Sequence, residues 1–414
     1  MSSQIAHPAD SRAGTALVLI SAGHFMSHFW LITWPSLFTV LAGVFQVNYL
    51  QLGFLMTLYS VTSAIFQVPF GYLADRHGPK PILVFGLLVN GAGIGLSALA
   101  PNYSVLLVLA LCAGVGQAVF HPADYAILSA LFSAERAGKP YSLHTFTGFA
   151  GSAAAPLAIA GITRAFNWQV ALAVAGLLGI IIAAAVALWL RVPAPVRPAP
   201  SPGAEGASRK GASFRFMLSR PFLLLFGFFV FTSMFTAGLQ SFLPSTLTER
   251  YGVSLETANG MLTAFLVTLA IGVLAGGVLA DRIRSYGRVI AISFTASTLV
   301  MLLVAAVPIP VWLLLPVFAL AGGLQGIIMP SRDKLVRESS PEGAAGQSFA
   351  FVSVGFSVGG IISPPILGEV LNRGEPTLVF WGLALFLVLA TVTVLIPARQ
   401  PAKDRARTEE RASV

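Results

Sequence analysis

Several ionisable side chains lie inside long apolar segments of this sequence. His121 and Asp124 are one helical turn apart, and His144 lies in the next apolar segment. Ionisable groups inside a bilayer are costly and are therefore usually functional. An imidazole titrates near neutrality and a carboxyl group can hold a proton, so His121 and Asp124 could carry a coupled proton together. A local pair that only stabilises helix packing is the alternative.

A second polar stripe follows one face of the first apolar segment. His24 and His28 are spaced as neighbours on a helix, and Trp34 follows one to two turns later. We expect this stripe to face a cavity, with interhelical hydrogen bonding as the structural alternative. Two histidines at this spacing could also ligate a metal ion. No cysteine or carboxylate lies beside them in the sequence, so we predict no metal site.

The second half of the chain supplies its own polar residues. Thr236 and Gln240 lie on one stripe of a later apolar segment. Arg332 and Asp333 lie near the end of another, where Arg332 could bind an anionic group of a substrate as a permanent charge. Neighbours on a helix point about 100° apart, so we expect Arg332 and Asp333 to pair poorly.

The segments that carry these residues are long enough to cross a bilayer. Of the 414 residues, 56% are hydrophobic and 10% are charged, whereas soluble domains carry about 25% charged residues. One membrane helix needs roughly 20 apolar residues. The sequence therefore predicts an all-α membrane protein. Its twelve predicted spans are 14–43, 48–72, 81–101, 104–131, 141–163, 168–190, 221–244, 255–280, 288–308, 311–334, 345–371 and 376–397.

The basic residues are distributed unevenly between the two sides of the predicted bundle. Of the 25 Lys and Arg residues, only Arg164, Arg250 and Arg373 lie on the side away from the termini. Loops rich in Lys and Arg stay in the cytoplasm, which predicts a multi-pass protein of the plasma or inner membrane with both termini cytoplasmic. The net charge of +9 is then a signal of topology, and no nucleic-acid partner is expected.

The two halves of the chain repeat each other. Residues 71–83 and 277–290 each begin with a G-x-L-A-D-R motif, and the two copies are 206 residues apart. Gln117 matches Gln325 at an offset of 208. Such repeats predict two pseudo-symmetric six-helix bundles with the substrate site between them. The predicted parts are an N-terminal tail 1–13, a first bundle 14–190, a cytoplasmic linker 191–220, a second bundle 221–397 and a C-terminal tail 398–414.

Twelve spans, a six-plus-six repeat, a central linker and the motif between spans 2 and 3 resemble the major facilitator superfamily over about residues 14–397. The run Phe120–Tyr125, together with Ser331-Arg332-Asp333, resembles its fosmidomycin-resistance-like branch. This resemblance implies that spans 1, 4, 7 and 10 line a central cavity, which would include Gln325. It also implies that the repeated motif latches the cytoplasmic side, although a charged turn that only sets topology is the alternative. The expected latch residues are Gly71, Asp75, Arg76, Gly78, Lys80, Gly277, Asp281, Arg282 and Arg288.

No enzyme motif of the G-x-S-x-G, HExxH or Walker A type is present, so we expect neither an enzyme nor a cofactor. We predict a monomeric secondary active transporter that moves a small organic solute, anionic or an antibiotic, by alternating access. Protons are the expected coupling ion, and export is favoured over uptake. The alternatives are an uptake symporter or an uncoupled facilitator for a small organic acid, and a membrane receptor that does not transport. The repeat pairs Asp124 with Arg332, which predicts a contact between them when the cytoplasmic side closes.

Overall fold

The computed structural model describes residues 8–132, 138–192, 214–283, 285–341 and 345–396. These residues form α-helices and short 3-10 turns and contain no strand. The helices are α1 Pro8–Thr33, α2 Phe38–Phe45, α3 Tyr49–His77, α4 Pro79–Leu96, α5 Tyr103–Gln117, α6 Phe120–Leu131, α7 Gly138–Ala165, α8 Trp168–Trp189, α9 Arg220–Tyr251, α10 Leu255–Arg282, α11 Tyr286–Ala306, α12 Val311–Ser339, α13 Ala345–Asn372 and α14 Pro376–Leu395. The 3-10 turns are Pro35–Leu37, Ser97–Leu99 and Phe214–Leu218.

Twelve helical stretches of the described chain are long and apolar enough to cross a membrane, as the sequence predicts. The first stretch combines α1 and α2, and the fourth combines α5 and α6. The predicted end of span 7 at residue 244 is wrong, because α9 continues through Pro244 to Tyr251. Residues 1–7 of the predicted N-terminal tail, residues 193–213 of the linker and the C-terminal tail lie outside the described residues, whereas residues 8–13 already belong to α1.

Local sequence signals set several helix ends. The Asn48 side chain accepts a hydrogen bond from the Gln51 backbone, and the Gln51 side chain accepts one from the Asn48 backbone, so α3 begins with a capping box. Between α3 and α4, Gly78 has a φ of +89°, a conformation that glycine adopts without steric cost. The chain can therefore reverse direction there within a single residue.

The interface between the two halves is built on close helix packing. α3 packs against α13, and α7 packs against α10. A Cβ atom at Gly53 would lie 2.5 Å from the Pro364 carbonyl oxygen. Small residues of this kind let membrane helices approach closely, so Gly53 permits the contact between α3 and α13.

One end of the bundle is joined across the two halves. We call the end at which α3 and α10 begin the distal end, and the end at which α1 begins and α14 finishes the proximal end. In α3, the Tyr49 backbone N–H donates to Asn372 Oδ1 over 2.7 Å, and the Tyr49 hydroxyl donates to Glu249 Oε1 over 2.8 Å. Thr39 donates to Ser245 over 3.3 Å nearby. Further hydrogen bonds between the halves, donated by Thr57, Asn259 and Thr263, and the ion pair of Arg164 with Glu256 also lie in the distal half of the bundle.

Candidate functional site

A buried carboxylate meets two histidines where three helices of the first half converge. Asp124 Oδ2 on α6 lies 3.4 Å from His24 Nδ1 on α1 and 3.4 Å from His144 Nε2 on α7. The side chains of Asp124, His24 and His144 are only 0%, 6% and 1% exposed. Neither carboxylate oxygen has a hydrogen-bond partner in the described chain, so the contacts with the two imidazoles are ion-pair contacts at 3.4 Å. We call these three residues the His–Asp–His cluster.

Glycines on α7 allow this cluster to form. A Cβ atom at Gly148 would lie 2.7 Å from His24 Nε2, and one at Gly151 would overlap the carbonyl oxygen of Phe25. A larger residue at Gly148 would displace the imidazoles of His24 and His28, and one at Gly151 would push the backbones of α1 and α7 apart. The geometry of the cluster therefore depends on two residues that have no polar side chain.

Two further histidines connect the cluster to the space between the halves. The ring centroid of His24 lies 3.9 Å from that of His144, 4.7 Å from that of His28 and 5.8 Å from that of His121. His28 and His121 line a cavity of about 340 Å³ between the two halves. Two imidazoles thus contact the carboxylate, and two more, which face the cavity, pack against the ring of His24.

Two expectations from the sequence need correction here. The predicted pair of His121 and Asp124 is replaced by contacts of Asp124 with His24 and His144, which lie on other helices. The sequence argument against a metal site was that no carboxylate lies beside His24. That argument is wrong in three dimensions, because the possible ligand atoms of His24, Asp124 and His144 lie within 4.8 Å of one another. A closed structural zinc site needs a fourth protein ligand, and the described residues supply only three in this group. The absence of a metal site stays a prediction.

Some of the site residues that the sequence predicts in the second half line the cavity. Thr236 and Gln240 on α9 line it. Gln325 does not; it is buried, and its Nε2 atom has no hydrogen-bond partner. Trp34 is also fully buried and packs edge-on against Tyr59, which is itself part of the lining.

Arg332 and Asp333 lie outside the cavity lining and contact each other. Arg332 Nε is 2.9 Å from Asp333 Oδ1, and the guanidinium lies 4.8 Å from the ring centroid of Phe229. The expectation that these neighbours pair poorly is wrong, because the long arginine side chain turns back across one residue. The predicted contact between Asp124 and Arg332 is not formed in this conformation, in which the halves are joined at the distal end.

Sequence reasoning missed several lining residues. Tyr59 on α3 and Phe149 and Ser152 on α7 belong to spans that it did not assign to the cavity. Ser152 Oγ lies 3.3 Å from His28 Nδ1. The polar residues on the inner face of α3 would have been a usable signal, since Ser60, Tyr59 and their neighbours interrupt an otherwise apolar span.

The first copy of the repeated motif forms the turn between α3 and α4 at the proximal end. Gly71 packs on the start of α6, and Gly78 supplies the positive φ at the turn. Asp75 and Arg76 are exposed and Lys80 is partly buried. Within the described chain, Asp75 makes no ion pair. The latch role of this copy stays a prediction.

The second copy lies at the corresponding turn between α10 and α11. Arg282 and Arg288 are exposed. A Cβ atom at Gly277 would meet no other atom within 4 Å, so close packing does not require a glycine there. The side chain of Asp281 lies outside the described residues.

Comparison with known proteins agrees with this architecture. A family profile described as Major Facilitator Superfamily matches residues 17–258 and 230–414. A fosmidomycin resistance protein of Escherichia coli is 24% identical over 91% of this chain and 91% of its own length. A multi-drug resistance efflux pump of Streptococcus pneumoniae is 24% identical over 84% of this chain and 86% of its own length. A hexuronate transporter of Bacillus subtilis is 25% identical with the same coverage.

The fold is also similar to that of a solved transporter. A bacterial homologue of the human lysosomal transporter Spinster, in an inward-facing and occupied conformation, matches with a TM-score of 0.81. The two share 15% sequence identity over 95% of this chain and 98% of the other. Together with the family profile and the twelve apolar helices, these findings show that the chain belongs to the major facilitator superfamily, whose members are membrane transporters and not enzymes.

Proposed function

We propose that this protein is a secondary active transporter that exchanges a small organic solute for protons, with the His–Asp–His cluster as the proton site. The observation that carries this proposal is the burial of Asp124 between His24 and His144, next to a cavity at the interface of the halves. In this superfamily fold such a cavity is where a solute would bind. The cluster is the part of the described interior best suited to hold a proton.

The proposed proton chemistry follows from the surroundings of Asp124. An ionised carboxylate away from water is costly unless it is paired. The groups that face it are the imidazoles of His24 and His144, while His121 and Tyr125 extend from its own helix. One bound proton makes the cluster neutral, whether it resides on the carboxyl group or on an imidazole beside an ionised carboxylate. Without that proton the cluster carries one negative charge.

We further propose that the cluster and the cavity communicate through two histidines. His28 and His121 face the cavity and contact the ring of His24. A solute that displaces either ring would move His24 relative to Asp124 and change how firmly the proton is held. Exchange requires that binding of the solute weaken the hold of the cluster on its proton, and we propose displacement of His24 as the route by which it does so.

The direction in which the solute is transported is a separate part of the proposal. With both termini in the cytoplasm, the distal end would be the external side, and its hydrogen bonds would close the cavity to the exterior in this conformation. We infer export as the direction, which the relatives named for fosmidomycin resistance and multi-drug efflux support. The hexuronate transporter among the relatives keeps uptake as the alternative.

The test is transport by purified protein in proteoliposomes. A panel of metabolites and antibiotics is offered with and without an imposed pH gradient. Coupled exchange predicts that at least one compound accumulates against its gradient only when protons can flow the other way. Equilibration that ignores the pH gradient would indicate an uncoupled facilitator, and binding without transport would indicate a receptor; either result would contradict the proposal.

A further inference from the structure

The wall of the cavity carries no fixed charge. Among its lining residues in the described chain there is no Asp, Glu, Lys or Arg. Two charged groups that the sequence predicted for the site are engaged elsewhere: Asp124 is fully buried between histidines, and Arg332 pairs with Asp333. A permanently charged solute would lose its hydration on entering and would meet no fixed counter-charge in the cavity wall.

Two hydroxyl groups of the second half present only hydrogen-bond acceptors to this space. The Thr236 hydroxyl on α9 donates to the Thr232 carbonyl oxygen over 2.9 Å, and the Ser357 hydroxyl on α13 donates to the Ser353 carbonyl oxygen over 3.2 Å. A hydroxyl has one proton to donate. Because both protons are used within their own helices, Thr236 and Ser357 can only accept a hydrogen bond from a solute.

The first half presents hydrogen-bond donors. Behind the cavity, Asn90 Nδ2 donates to Gln117 Oε1 over 2.8 Å and to the Tyr59 hydroxyl oxygen over 3.3 Å. The Gln117 amide hydrogens and the Tyr59 hydroxyl proton therefore remain for a partner, and both residues line the cavity. The first half thus offers donors at Tyr59 and Gln117, and the second half offers acceptors at Thr236 and Ser357.

Apolar side chains complete the lining, among them Phe149, Leu266, Met329 and Phe356. A cavity of about 340 Å³ is within the range that binds small organic ligands. We infer that it takes an uncharged amphipathic solute, with a hydrogen-bond acceptor facing Tyr59 and Gln117 and a donor facing Thr236 and Ser357, and that it rejects permanent ions. This inference rests on the proposed transport function and replaces the anionic solute expected from the sequence.

Four probes with one skeleton test the inference by direct binding to the protein in lipid nanodiscs. They are 2-naphthamide, its N,N-dimethyl derivative, 2-naphthoate and 2-naphthylmethylammonium. Binding to empty nanodiscs is subtracted, and no proton gradient or transport is involved. We expect 2-naphthamide to bind at least about tenfold more tightly than either ion, because an unpaired charge costs more than a neutral hydrogen bond returns. The dimethyl derivative should bind more weakly than the parent amide, since it has no N–H to donate.

Matched variants locate the contact. Thr236→Val should weaken binding of 2-naphthamide about 2- to 10-fold and leave binding of its dimethyl derivative unchanged. Thr232→Val, one turn away on the same helix, is the control, because the Thr232 hydroxyl is buried without a partner and outside the cavity lining. Gln240→Arg should reverse the preference toward 2-naphthoate, whereas Gln240→Met should not.

Tighter binding of 2-naphthoate or of the ammonium probe by the unmodified protein would overturn the inference, and so would failure of all four probes to bind. Equal effects of Thr236→Val and Thr232→Val on binding of 2-naphthamide would refute the assignment of the Thr236 hydroxyl as a hydrogen-bond acceptor for the solute. These outcomes are independent of the proposed function, because a protein that binds the amide as expected and fails to transport would contradict only the transport proposal.

Discussion

The hydrogen bond between Tyr49 and Glu249 should limit how readily the distal end opens. Tyr49→Phe removes one hydroxyl that joins the two halves over 2.8 Å and leaves the aromatic ring in place. The bond lies at an exposed position, so its net contribution is about 0.5–1.5 kcal/mol. Since 1.4 kcal/mol corresponds to a factor of ten, the population open at the distal end should rise about 2- to 13-fold relative to the closed one.

Electron–electron distance measurements between two spin labels can detect this shift. The labels are placed at exposed Val44 on α2 and at exposed Arg373 beyond α13, in a Cys112→Ser background. The control is Tyr103→Phe, which removes the same hydroxyl at the same end of the bundle. The Tyr103 hydroxyl donates to the Gln51 carbonyl oxygen within the first half over 2.6 Å. Indistinguishable distance distributions for the two variants would refute the role of the Tyr49 hydroxyl in distal closure.

Three further predictions address the latch, the topology and the metal question. Asp75→Asn should reduce transport much more than Arg373→Gln, because Arg373 pairs with Glu369 inside one half; equal, mild effects in transport assays would reduce the motif to a topology signal. Labels at Ser2, Gly206 and Ala412 should all be protected from an impermeant reagent added outside cells, and an externally labelled Gly206 would contradict the proposed topology. Treatment with EDTA should leave solute transport unchanged in proteoliposomes, whereas loss of transport that zinc restores would assign a metal to the His–Asp–His cluster.

The helical architecture was predictable from the sequence because it depends on local composition and on the repeat. Apolar runs of membrane-spanning length and the two copies of the motif are visible without any tertiary information. The ends of the spans were less accurate. α9 continues past Pro244, because a membrane helix packed among its neighbours tolerates a proline that would end an isolated helix.

The partners of Asp124 could not be read from the sequence. His121 is the nearest histidine along the chain, but His24 and His144 approach Asp124 from two other helices. Distances between helices depend on how closely their backbones approach. Gly148 was a usable signal, since its missing side chain makes room for the His24 ring.

The charge pairing of Arg332 depends on side-chain reach and could not be judged from helical geometry alone. The directions of the Cα–Cβ bonds separate Arg332 from Asp333, but the flexible arginine chain brings its Nε atom to 2.9 Å from the carboxylate. The hypothesis of a contact between Asp124 and Arg332 concerns the state closed at the proximal end and stays a prediction.

The most direct test of the account measures proton movement driven by solute in vesicles that contain a trapped pH indicator. The solute is one identified by the transport panel. The unmodified protein and the control variant Glu369→Gln, which changes a half-exposed acid at the distal end, should both show solute-driven proton movement. Asp124→Asn should abolish it while exchange of labelled for unlabelled solute continues, because the site would no longer alternate between two charge states. Proton movement that persists in Asp124→Asn at the rate of the unmodified protein would contradict the assignment of the proton site to the His–Asp–His cluster.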